Sequence, residues 1–428
     1  MVAPSIGALP SAFMLDQHES IRRRLLTELS QLPAQGNVMD WQGSLAAAII
    51  AAEAAGVDDD REERKYHRHL LRVLGDGLVH NLIPPHTIRA LEPQVRRPPS
   101  LSAQHEDFEF VMETAATVYS YGLVPIVADL TTLLGTGDLV CTDGRQIVVF
   151  ECKNRLAPTL VSGSGRVARQ RERGERIERY LSTSSLRDEN GVLRVALNMG
   201  GEHPQPNWPE VEALLRRCQS APSGVGLLTF ARGDYLLATR PTDASVAEQL
   251  DPVMPSAESM TLPAAAHYAS LIDAATHDSP APCNYPISAD LRVELLERRI
   301  LLTRVADMSL LDAQFEHEGV EIHLVTERRR EGFTVGYGAE GQGDSEFLPS
   351  LVEYGLWNPI ALSEMREFLI ASARLMAGYH RGGIDPTVAA LASGDRFSYA
   401  TVYTDGSMTS INNLRDLGVR MDVPHDNS

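Results

Sequence analysis

The segment Gln146–Lys153, reading Gln-Ile-Val-Val-Phe-Glu-Cys-Lys, constrains the fold more than any other stretch of the chain. Side chains alternate along a strand, so Ile147, Val149, Glu151 and Lys153 share one face and Val148, Phe150 and Cys152 share the other. Both faces begin apolar, the pattern of a central strand covered on both sides. One face then ends in an acid and an ammonium. Neither charge is buried cheaply alone, so the two need each other or a metal ion. The lysine is the more telling of the pair. The chain has two lysines, Lys65 and Lys153, and every other basic residue apart from histidine is arginine. Arginine is a delocalised, permanently charged fork, whereas lysine is a compact ammonium tuned by its surroundings. A position that keeps lysine against this bias points to ammonium chemistry.

A chain of 428 residues is long for one core, so several domains are expected. Helix-period apolar positions over 14–32, 41–55 and 58–82 predict a helical N-terminal domain, residues 1–97, ending at the proline-rich Arg96-Arg97-Pro98-Pro99. Residues 98–240 alternate between helical and strand patterns and read as one α/β domain. Residues 241–290, rich in Ala, Pro, Ser and Asp, read as a connector, and 291–428 as an α+β domain. The expected fold class is therefore multidomain α/β. Cys141, Cys152, Cys218 and Cys283 are scattered with no CxxC pair, which argues against a disulfide framework or zinc site and fits a reducing cytoplasm. No N-terminal signal pattern and no membrane-length apolar stretch is visible, so no membrane partner is expected. A net charge of −18 excludes a general polyanion binder; any nucleic-acid contact must use a local basic surface.

The predicted order over 105–198 is a helix from His105 to Tyr121 and strands at 124–132, 138–141 and 146–153. A helix from Arg166 to Leu181 and a strand at Leu193–Asn198 follow. Asp143-Gly144 supplies a hairpin turn, so Asp138 on one strand can stand beside Glu151 on the next. Two converging carboxylates suit Mg²⁺ (or Mn²⁺), which takes few protein ligands and keeps several waters.

This arrangement resembles the PD-(D/E)xK superfamily of restriction-endonuclease-like nucleases, whose core runs helix, three-stranded meander, helix, strand. The resemblance covers about a quarter of the chain. Asp138 matches the motif's Asp, preceded here by Gly137 instead of Pro, and Glu151 and Lys153 match its ExK. The resemblance implies metal ligation by Asp138, Glu151 and the backbone carbonyl of Cys152, with Lys153 orienting water or stabilising charge on phosphorus. It also implies an acid from the first helix, for which Glu109 and Glu113, four residues apart on one helical face, are both open. It implies phosphodiester hydrolysis, in the manner of bacterial restriction-like or anti-phage defence effectors.

The second helix carries the nucleic-acid expectation. Arg166, Arg169, Arg173 and Arg176 form one stripe, and Gln170 lies on the neighbouring inward stripe. From Arg145 to Arg179 nine basic residues face four acidic ones, a local basic ridge inside an acidic chain. The partner expected is nucleic acid, DNA ahead of RNA, with a homo-oligomer left open. The competing readings are an inactive nuclease-fold protein that binds nucleic acid, and a structural or assembly partner. Gly336–Gly341 fits GxGxxG but Gln342-Gly343-Asp344 follows instead of a helix, so no dinucleotide loop is expected. His67, His69, His80 and His86 are not expected to form a metal site, and Trp208 and Trp357 are expected as core anchors.

Overall fold

The computed structural model describes residues 15–35, 37–54, 61–91, 98–154, 172, 174–181, 185–187, 193–195, 204–240, 260–268, 281–329, 332–339, 345–347, 352, 355–382, 396–404 and 408–410. The fold is mixed α/β with a helical N-terminal region. The chain divides into two compact units, one of residues 1–178 with 395–428, the other of 179–394.

The first unit opens with helices α1 (Leu15–Gln35), α2 (Val38–Ala54), α3 (Arg61–Leu82), α4 (Pro85–Leu91) and α5 (Glu106–Ser120). Strands β1 (Val124–Val127), β2 (Leu139–Thr142) and β3 (Gln146–Lys153) follow as an antiparallel meander. Its tight turn is made by Asp143, whose carboxylate accepts the Arg145 and Gln146 N–H groups at 2.9 and 3.0 Å. The sheet is completed from the far end of the chain. Strand β14 (Arg396–Tyr403) lies parallel to β3, from Arg396 beside Gln146 to Tyr403 beside Lys153, and pairs in turn with β15 (Met408–Ser410). The sheet order is β1-β2-β3-β14-β15.

This corrects the expected order over 105–198. Among the described residues, Leu193–Val195 (β5) pairs with Ser185–Arg187 (β4) alone, in a two-stranded sheet. Three residues offer too few ladder bonds to compete with the eight-residue register of β14 against β3. A local pattern cannot reveal a partner strand more than two hundred residues away.

The expected boundary at 97/98 also falls inside a unit, because the N-terminal helices buttress the meander. Gln42 of α2 acts as a short surrogate strand: its Nε2 donates to the Pro125 carbonyl and its Oε1 accepts the Val127 N–H, both at 2.9 Å. The outer edge of β1 is thereby covered and its backbone groups satisfied. On α3, a Cβ at Gly75 would sit 2.0 Å from the Leu130 carbonyl oxygen, so only glycine admits this approach. The next residue, Asp76, is fully buried. Its carboxylate accepts the Thr132 N–H and hydroxyl at 2.6 and 2.5 Å and the Leu133 N–H at 3.0 Å.

In the second unit, α7 (Trp208–Ser220) packs on a sheet of order β6-β7-β9-β8, formed by Val225–Ala231, Asp234–Thr239, Leu301–Asp307 and Pro263–His267. The segment 241–290 is therefore not merely a connector; its described part contributes a strand to this sheet. Helix α8 (Ala289–Leu296) follows, and its Leu291 and Leu295 join the core formed with α7. A second antiparallel sheet, β10 (Ala313–His317), β11 (Val320–Arg329), β12 (Gly332–Ala339) and β13 (Ser345–Phe347), shares a core with α9 (Leu362–Gly382). Gly336 and Gly338 lie within β12, in agreement with the rejection of a dinucleotide loop. Arg304 and Asp234, both fully buried, pair through two 2.9 Å bonds, and Arg304 also donates to the Gly355, Asn358 and Ile360 carbonyls. Trp208 packs at a tilt on Tyr285 and Trp357 meets Tyr268 edge to face, both as core anchors.

Burial pushes the Asp76 carboxyl up to about 7, against the lowering pull of its three donors and of Arg72. The folded state thus holds a proton that the unfolded chain releases near its ordinary value of 3.8. Stability from this group is full below that value and is lost as pH rises through about 7. The expected loss is on the order of 4 kcal/mol between those limits. Asp76→Asn, measured by urea denaturation across pH 4–7.5, will remove this part of the slope; an unchanged slope would mean the carboxyl is ionised throughout.

Candidate functional site

The meander sets Asp138 against Glu151. Leu139 pairs with Phe150, and Asp138 immediately before it lies near enough to Glu151 for the two charges to act on each other. The Asp138 N–H donates to the Phe150 carbonyl at 2.8 Å. Its carboxylate Oδ2 accepts the Cys152 N–H at 2.7 Å, taking the place of a backbone carbonyl where β2 has not yet begun. The strand begins here because of Gly137. Its φ is 73°, and a Cβ would lie 2.4 Å from Val149 Cγ1 and 2.9 Å from the Phe150 carbonyl oxygen. A proline, the residue more usual before the motif's aspartate, is fixed at negative φ and cannot occupy this position.

Glu151 is buried and Lys153 half-buried, and Lys153 Nζ donates to Glu151 Oε1 at 2.6 Å. Burial is the main cause that pushes the Asp138 carboxyl up to about 6; the neighbouring negative charges of Glu151 and Asp129 act in the same direction. The Cys152 N–H bond and the Lys153 ammonium oppose them. Cys152 itself turns to the opposite face, where it is hydrogen-bonded to Thr114 of α5, and burial raises its thiol to about 12. It is no thiolate nucleophile.

The three motif residues are thus brought together, and the acids of the first helix are not. Helix α5 turns Phe108, Val111, Thr114, Ala115 and Val118 inward, and Thr114 ties it to the Cys152 face of β3. Glu109 and Glu113 fall on its exposed side, on the sheet face away from Glu151. Their shared face is the solvent face, since the apolar stripe claims the inward one. Of the arginine stripe, Arg176 is exposed on helix α6 (174–181), while Arg166, Arg169 and Arg173 lie outside the described residues, as does Gln170.

One carboxylate that the sequence reading passed over stands nearby. Asp129 follows β1 in a short turn, is 8% exposed, and acts electrostatically on Asp138. An acid inside the apolar run Val124–Leu130 was its only signal. Among the described residues no three His, Cys, Asp or Glu side chains group as metal ligands. The donor set that Asp138 and Glu151 offer is all oxygen, and their like charges converge away from water. That chemistry fits a hard divalent cation held by few protein ligands. His67, by contrast, is bonded to the Arg22 guanidinium. No helix among the described residues is long and apolar enough to cross a membrane.

Compared with protein-family models, curated proteins and solved structures, the chain matches none.

Gly137→Ala will destabilise the protein by about 2–4 kcal/mol, from the left-handed backbone and the crowding against Val149. Because the motion needed to relieve that clash displaces Asp138, divalent-cation binding measured by calorimetry will fall further than the melting temperature implies. A variant with wild-type stability would show that this backbone is readily rebuilt.

Proposed function

We propose that the chain is a metal-dependent nuclease of the PD-(D/E)xK type, hydrolysing phosphodiester bonds in nucleic acid. The observation that carries this reading is the meeting of Asp138, Glu151 and Lys153 at one end of a central strand. Two features of the fold support it as well. The helix α5 and meander β1-β2-β3 follow the order of that core, and β14 lies parallel to β3 as its fourth strand would. In this reading the residues 154–395 are an insertion between the third and fourth core strands.

Asp138 and Glu151 would hold Mg²⁺ or Mn²⁺ with the Cys152 carbonyl. The chemistry supplied by the bound ion is polarisation of the phosphoryl group and acidification of the attacking water. Lys153, held by Glu151, supplies a compact positive charge beside the reacting phosphate, where charge accumulates in the transition state. Glu151 also keeps the ammonium aimed. The exposed Arg176 and the arginines before it would meet the phosphate backbone, DNA ahead of RNA, and the protein would serve in restriction or anti-phage defence.

The test is incubation of labelled DNA and RNA with the protein under Mg²⁺ or Mn²⁺, beside Lys153→Arg and Asp138→Asn. Wild-type protein is expected to cleave only with metal, and Asp138→Asn not to cleave. Lys153→Arg keeps the charge but replaces a point ammonium by a longer planar fork. Its rate is expected to drop on the order of a hundredfold, the cost of losing a transition-state contact, with melting temperature unchanged. Absence of metal-dependent cleavage in the wild type, or a wild-type rate in Lys153→Arg, would overturn the assignment.

A further inference from the structure

Strand β14 comes to the site from the far end of the chain, and its register fixes what it brings. Ala400 lies beside Phe150 and Val402 beside Cys152; all four are buried, on the face that β3 turns to α5. Residues alternate along a strand, and parallel neighbours in register share their faces. Tyr399, Thr401 and Tyr403 therefore take positions on the other face, beside Val149, Glu151 and Lys153. The two strands change character together along that face. On β3, Ile147 and Val149 give way to Glu151 and Lys153; on β14, Phe397 gives way to three hydroxyl-bearing residues. Because the strands run parallel, their carboxyl ends lie at the same edge of the sheet, and β3 ends at Lys153 as β14 ends at Tyr403. Ligands of open sheets bind in the crevice outside such adjoining carboxyl ends. Neighbouring strands are about 4.8 Å apart, so position 403 is one strand spacing from Lys153, with β2 on the other side of β3.

We propose that Tyr403 is a further catalytic residue of this site, its hydroxyl donating to a non-bridging oxygen of the scissile phosphate beside Lys153. The proposal rests on the nuclease reading. A phenol is a neutral donor, so it adds a hydrogen bond to the phosphate without drawing Glu151 away from the lysine. The hydroxyl keeps its proton throughout. Its bond strengthens as charge gathers on the phosphate oxygens, so its effect falls on the rate of the chemical step and not on substrate or metal binding.

The test is Tyr403→Phe, which keeps the ring and removes the hydroxyl, with Tyr399→Phe, two residues back on the same face beside Val149, as control. Cleavage of labelled DNA and RNA under Mn²⁺ gives kcat and KM for each. Mn²⁺ affinity by calorimetry and melting temperature are recorded beside them. In Tyr403→Phe, kcat is expected to fall on the order of a hundredfold, the cost of losing one donor to a developing charge. Its KM, Mn²⁺ affinity and melting temperature are expected to match the wild type, and Tyr399→Phe to cleave at the wild-type rate. A wild-type kcat in Tyr403→Phe overturns the proposal and leaves the nuclease reading intact. So does a loss that Tyr399→Phe shares, or one that tracks Mn²⁺ affinity or melting temperature, since each assigns the effect to packing. Absence of metal-dependent cleavage in the wild type removes the nuclease reading and the proposal together.

Discussion

The parallel pairing of β3 with β14 is the constraint on which the first unit depends. Parallel neighbours cannot be joined by a hairpin; the chain must cross over and return. Here the crossover takes in residues 154–395, and the second unit, 179–394, lies within that stretch of the sequence. The pairing turns β3 from an edge into an interior strand, with β2 on one side and β14 on the other. That is why Val148, Val149 and Phe150 are fully buried and why Glu151, at the end of the same strand, is desolvated. An edge strand would leave the Glu151–Lys153 pair in water, where such a pair is worth little.

A second dependence runs through the loop between β1 and β2. This segment has little regular structure, so its polar groups must find partners elsewhere. The helices provide them: Gln42 covers the β1 edge, Asp76 accepts from the donors at 132 and 133, and Arg72 donates to the carbonyls of Asp129 and Pro99. Glu53 in turn accepts the N–H groups of Leu101 and Ser102, which lead into α5. Removing one partner from such a network leaves another buried group unsatisfied, so these residues act as a unit. The helical region is thus part of the scaffold that aims Asp138.

The second unit is organised by a comparable device. Arg304 spends all its donors on Asp234 and three carbonyls, and Asp234 also accepts the Leu362 N–H at the start of α9. The strands β7 and β9 are so fastened to the turn that launches the helix. Nothing in the periodicity of either strand distinguishes this arginine from an exposed one; only the tertiary arrangement does.

The sequence by itself marked several of the elements and the three residues at the centre of the proposed site. Periodicity marked α5 and β3, because each has one face whose burial dominates its energy, and the Asp143-Gly144 turn fixed the β2–β3 pairing that brings Asp138 near Glu151. The abrupt charge at the end of an apolar strand, and a lysine in a chain that otherwise uses arginine, identified Glu151 and Lys153. What only the tertiary structure decided are the matters of long-range pairing. It chose β14 over residues 193–198 beside β3, since hydrogen-bonding edges carry no label in sequence. It joined residues 1–97 to the meander, because single side chains such as Gln42 and Asp76 satisfy backbone groups that no pattern reveals. It turned Glu109 and Glu113 to solvent and buried Asp129 in the turn after β1, since which acids are exposed depends on which face of the sheet each element covers.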